Sequence, residues 1–122
     1  GCLKCHAAAG KGGIVGPDLS KLAAQKTRDY LLESIVLPNK TIAEGFAQVV
    51  LQLQNDSVET GRIEKETDSE ILLILADGSR KKLLKSSVKG RKAGLSAMPE
   101  DVLKVLSKRE VRDLVEFLAS LK

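Results

Sequence analysis

The chain has 122 residues, 30% of them charged, and a net charge of +4 at neutral pH. That length suits one domain with a modest core, and no apolar run approaches the roughly 20 residues of a membrane-spanning helix. Only Tyr30, Phe46 and Phe117 are aromatic, so the core must be aliphatic or be filled in part by a large flat cofactor.

In chain order, Cys2-Leu3-Lys4-Cys5-His6 comes first and holds both cysteines and the sole histidine. Residues 7–15 are small and glycine-rich, as in a loop that passes close to another group, and 19–24 reads as a short helix. Thr27 can cap a helix over 28–37, with Tyr30, Leu31, Leu32 and Ile35 on its apolar side and Pro38 at its end. The period then changes to two. Ala47, Val49, Leu51 and Leu53 alternate with Gln48, Val50, Gln52 and Gln54, a half-buried strand. Asn55-Asp56 is a turn into a second strand over 58–66, where Gly61 marks a bulge. A third strand covers 71–76, and Asp77-Gly78 turns it into a fourth over 80–84. Neighbouring strands of this kind pair as a meander of hairpins. After Pro99, 101–106 is a short helix. Ser107-Lys108-Arg109-Glu110 is a capping box that opens a helix to about 121, with Val111, Leu114, Val115, Leu118 and Leu121 as its buried stripe.

The charge is uneven. Between Gly78 and Pro99 there is no acidic residue, while Arg80, Lys81, Lys82, Lys85, Lys89, Arg91 and Lys92 fall inside that stretch. It reads either as a solvated basic face or as a docking patch for an acidic partner. Nucleic acid is not expected, because neither a helix-turn-helix nor an aromatic stacking platform accompanies the charge.

Cys-x-x-Cys-His is the haem-attachment pattern. Each thiol can add across one haem vinyl group, two intervening residues let one turn present both sulfurs to the same porphyrin edge, and the next residue brings an imidazole to the iron axis. Histidine suits that position because it is neutral near physiological pH and binds iron in either oxidation state. Three rivals use the same residues. A thioredoxin-like pair stands at a helix start behind a strand, and only Gly1 stands ahead of Cys2 here. Structural zinc wants four ligands. A nucleophilic Cys-His pair is assembled by the fold with a third orienting group, not by sequence neighbours. Haem attachment is the preferred reading.

Four features in order then resemble the class I cytochrome c family: Cys2 to His6, Gly16-Pro17-Asp18-Leu19, Ala97-Met98-Pro99, and the closing Val111-Arg112-Asp113-Leu114-Val115-Glu116-Phe117-Leu118. With its strand-rich middle, the chain resembles more narrowly the haem-binding domain type named for planctomycetes and verrucomicrobia. The resemblance implies a mainly α-helical cytochrome c fold, one domain over 1–122. A small antiparallel β insertion at about 46–94 would lie between the central helix and the methionine loop. The family also places a helix before the cysteines, across the C-terminal helix; with no such residues present, the chain is expected to be a fragment.

The resemblance further implies one covalently bound haem c on Cys2 and Cys5, with His6 and Met98 as axial iron ligands. Gly16, Pro17 and Leu19 would belong to the haem-binding residues, the Pro17 carbonyl accepting from the His6 Nδ1–H and Leu19 packing on the haem face. Each role has a plainer rival: Gly16-Pro17-Asp18 can be a turn before a capped helix, and Met98 a core gap-filler. The implied function is one-electron transfer between redox proteins rather than enzymatic catalysis, in a periplasmic or otherwise exported location where c-type haem is attached. Two alternatives stand beside it: a haem sensor or peroxidase-like site from which Met98 dissociates, and a haem-containing interaction module.

Overall fold

A computed structural model describes all 122 residues. Strands hold 32% of the residues and helices, 3-10 turns included, 28%, so the expected mainly α-helical cytochrome c fold with a small insertion is overturned. The elements in chain order are β1 (Ala7–Ala8), β2 (Lys11–Gly12), α1 (Arg28–Val36), β3 (Ala47–Leu53), β4 (Val58–Glu66), β5 (Glu70–Ile74), β6 (Arg80–Leu84), β7 (Val88–Ser96) and α2 (Lys108–Ala119). The two short helices read from sequence are only 3-10 turns, Leu22–Ala24 and Val102–Val105, and neither has a side-chain cap. Segments that short do not repay the cost of helix nucleation.

The capped helices form because their first turns are satisfied. Thr27 Oγ1 accepts from the Tyr30 N–H at 3.2 Å. The capping box of α2 is complete: Ser107 Oγ accepts from the Glu110 N–H at 3.1 Å, and Glu110 Oε2 accepts from the Ser107 N–H at 2.7 Å.

β3 to β7 build one antiparallel sheet in the order β6-β5-β4-β3-β7. The meander of four strands is therefore incomplete: β7 returns across the sheet and pairs with β3, Ala93 opposite Val49 and Gly90 opposite Gln52. Lys89, Gly90, Arg91, Lys92 and Gly94 give β7 almost no strand propensity of its own; its ladder with β3 forms it. Gly61 is not a bulge. It pairs in register with Val49, and the irregularity lies between Ile63 and Lys65. Glycine is needed at 61 because a Cβ there would stand 2.7 Å from the Ile74 carbonyl oxygen.

Two separate cores result. Leu51, Ile71, Leu73 and Leu83 close the sheet, whereas Leu31 and Ile35 of α1 meet Val115 and Leu118 of α2 in the helical half. Phe117 lies outside both and is exposed. No helix is long and apolar enough to cross a membrane.

Candidate functional site

Cys2 begins a 3-10 turn, Cys2–Lys4, and its carbonyl accepts from both the Cys5 N–H (3.0 Å) and the His6 N–H (2.9 Å). One short turn therefore carries both thiols and the imidazole. The cysteines are free, Cys2 exposed and Cys5 half-buried. A shallow depression of about 490 Å³ lined by Gly1, Cys2, Leu3 and Lys4 opens beside the first thiol.

The following chain folds back over this turn. The Gly13 N–H donates to the Leu3 carbonyl at 3.0 Å and the Gly16 N–H to the Cys5 carbonyl at 2.8 Å. Gly16 then lies against the imidazole, where a Cβ would stand 2.5 Å from His6 Cε1 and 2.7 Å from Nδ1. The next carbonyl, that of Pro17, is 2.7 Å from His6 Nδ1. A carbonyl can only accept, so Nδ1 carries a proton, and in the neutral imidazole the lone pair then lies on Nε2. Asp18 does not cap a helix. Its Oδ1 accepts from the Ser20 N–H (2.8 Å) and hydroxyl (2.6 Å), while Ser20 Oγ accepts from the Ala9 N–H (2.9 Å), which ties the loop to the β1–β2 turn. The Ser20 hydroxyl, followed by its backbone N–H, holds the Asp18 carboxyl below its ordinary value.

Leu19 links this group to the helices: its N–H donates to the Ala7 carbonyl at 2.8 Å, and its side chain packs against the Leu31–Ile35–Val115–Leu118 cluster. Met98, half-buried, packs on the same cluster from the loop after β7. Cys2, Cys5, His6, Gly16 and Pro17 thus form one hydrogen-bonded group, and Met98 approaches the helical cluster from a different part of the chain.

Two contacts had no sequence signal. Arg62 of β4 donates through Nη2 to the Ile14 carbonyl at 2.6 Å, and its guanidinium lies 4.6 Å from the Phe46 ring centroid. Its Nε is buried without a partner. Val15 is also buried, so the loop carrying Gly16 and Pro17 is pinned to the sheet. The second contact joins Asn39 to Ser96 and Glu100 around Met98.

The basic stretch is largely neutralised within the sheet. Arg80 pairs with Glu64 (2.7 Å), Lys82 with Glu70 (3.5 Å), Lys85 with Glu66 (2.8 Å) and Arg91 with Glu66 (2.9 Å); Lys81 pairs with Glu59 and Lys89 with Asp56. Of the seven cations only Lys92 has no acidic partner. The sequence interval 78–99 lacks acids, but the neighbouring strands supply them.

The residues of the Cys2–His6 turn fit a c-type haem on two observations: the donor set of two free thiols and an imidazole held through Nδ1, and the cradle at Gly16 that only a residue without Cβ leaves open to the imidazole. No three His, Cys, Asp or Glu side chains converge as a metal-binding cluster. Neither a scan against models of protein families nor a search of curated proteins gave a match.

Proposed function

We propose that this chain holds one haem c covalently and serves in one-electron transfer. The observation that carries the reading is the His6 imidazole, fixed by the Pro17 carbonyl and seated on Gly16, one residue beyond two free thiols on a single turn. Cys2 and Cys5 would hold the porphyrin through thioether bonds, each thiol adding across one vinyl group. His6 Nε2 and the Met98 thioether would be the side-chain ligands of the iron. When bound, the group supplies an Fe(III)/Fe(II) couple.

The chain's own residues tune that couple. By accepting the Nδ1 proton of His6, the Pro17 carbonyl fixes the ring and raises the basicity of Nε2. A soft thioether from Met98 favours the ferrous state. Leu19 would offer an apolar side chain to the haem face. With His6 and Met98 both committed to the iron, substrate chemistry at the metal would be disfavoured, and the reading is a carrier or transfer domain, not an enzyme. Redox proteins as partners and an exported location belong to the same proposal, since c-type attachment takes place outside the cytoplasmic membrane. Docking of an acidic partner through 80–92 does not, because the cross-strand ion pairs offset that charge.

Expression in a host that matures c-type cytochromes tests the reading. The intact mass should equal the polypeptide plus one haem, acid with organic solvent should not extract it, and a reduced-minus-oxidised spectrum should show low-spin c-type bands. A colourless chain with two free thiols would overturn the proposal.

A further inference from the structure

Met98 lies in a loop whose two flanks are held by one side chain. Asn39 follows Pro38, just beyond α1. Its Oδ1 accepts from the Ser96 N–H at 2.7 Å, and its Nδ2 donates to Glu100 Oε1 at 2.6 Å. Ser96 and Glu100 stand two residues before and two after Met98. Ser96 Oγ in turn accepts from the Met98 N–H at 3.1 Å. Only one orientation of the amide serves both partners, because a backbone N–H needs the oxygen and a carboxylate needs the nitrogen. Asn39 also stands just past α1, which contributes Leu31 and Ile35 to the cluster on which Met98 packs. The amide therefore ties both flanks of the loop to the segment just beyond α1, one of the two helices that build that cluster.

We infer that Asn39 is the positioning residue for Met98: it closes the 96–100 loop and thereby holds the thioether on the iron. This rests on the reading of Met98 as an axial ligand. An external ligand competes only for the population in which the methionine has left, so its apparent affinity follows that fraction. Loss of two hydrogen bonds, one of them to a carboxylate, should enlarge it about tenfold.

The test uses the matured holoprotein, with cyanide binding to the ferric form and thermal melting measured side by side. Asn39→Ala should bind cyanide about tenfold more tightly and lose intensity in the weak long-wavelength band of Met-ligated ferric haem. Asn39→Asp keeps the acceptor for Ser96 but sets a second carboxylate against Glu100, and should give the same two changes. Should Asn39→Ala fail to fold, Ser96→Ala, which removes only the acceptor for the Met98 N–H, should move cyanide affinity in the same direction by less. Variants that melt earlier with unchanged cyanide affinity would leave Asn39 a loop staple and overturn the inference. Met98→Ala separates this from failure of the parent reading. If it raises cyanide affinity while the Asn39 variants do not, the inference alone falls; if it too changes nothing, Met98 is not the ligand and both fall.

Discussion

The sheet and the helical half solve the problem of a small core differently. In the sheet, Leu51, Ile71 and Leu73 are all 0% exposed and only Leu83, on the edge strand β6, reaches 8%, the core being sealed by strands that follow one another or fold straight back. In the helical half the four central side chains retain 2–8% exposure, Leu19, Tyr30, Met98 and Leu114 around them are half-covered, and Leu32, Val36 and Phe117 face solvent. The sheet has a continuous hydrogen-bond ladder under its core. The helical half is joined by scattered ties: the Arg28–Glu116 ion pair between α1 and α2, and the bond from the Ala23 N–H of the 3-10 turn to the Leu121 carbonyl just beyond α2 at 2.8 Å. The sheet should thus be the last region to open, with the candidate site attached to its less rigid neighbour.

Truncation in the two cores tests that contrast most strongly. Leu73→Ala removes a side chain with no exposed surface and no room to relax, and should cost roughly 3–5 kcal/mol in urea unfolding. Leu118→Ala, at 8% exposure, stands where neighbours can shift and should cost roughly 2–3 kcal/mol. Native-state hydrogen exchange should show β4 and β5 amides slowest. A larger loss at Leu118, or slower exchange in α2 than in β5, would break the comparison.

What the sequence reveals follows the same division between near and distant contacts. α1 and α2 are legible because Thr27 and the Ser107–Glu110 box mark their starts within four residues. β3 to β6 are legible because period-two alternation and Asp77-Gly78, with Gly78 at φ +85°, are local too. β7 is not, because its glycines and lysines become a strand only against β3, some 40 residues earlier. That added strand, with β1–β2 and the shrinkage of two helices to 3-10 turns, moves the balance from helix to sheet. In the site, Cys2, Cys5 and His6 are contiguous and plain, and Pro17 lies eleven residues from its partner. The bonds from Arg62 to Ile14 and from Asn39 to Ser96 span 48 and 57 residues, and nothing in one sequence announces them.

At the junction of the two regions, Gly16→Ala should push the His6 ring off its seat, since no methyl fits 2.5 Å from Cε1. Overpacking of this kind costs about 1–3 kcal/mol, and the Pro17 hydrogen bond should be weakened with it. The histidine Nδ1 proton in NMR should lose its hydrogen-bonded shift and exchange faster. An unchanged imidazole spectrum would mean the loop yields without disturbing the ring. Further from the junction, Ser107→Ala opens the capping box and should cost about 1 kcal/mol. Exchange should quicken in the first turn of α2 while β5 amides stay as they were; equal acceleration in both would show that the two halves unfold as one.

The smallest effect expected concerns the charges that cross the sheet. Glu66 of β4 receives Arg91 from β7 on one side and Lys85, just beyond β6, on the other, so one carboxylate connects both edge strands. The Arg91 hydrogen bond, followed by that of Lys85, lowers its pKa from the ordinary 4.5 to about 2. Because the folded value lies below the unfolded one, the stabilisation is complete above about pH 4.5 and is lost as pH falls through that window toward 2. Solvent reaches all three side chains, so screening keeps the effect small and 1 M salt should flatten it further. The urea midpoint of the wild type should decline across the window by more than that of Glu66→Gln, which has no proton to gain there. The helical half has a counterpart in Glu116, lowered by Arg28, so part of the acid loss should persist in the variant. Identical acid profiles for the two proteins would show that the strands, not their charges, hold the edges of the sheet.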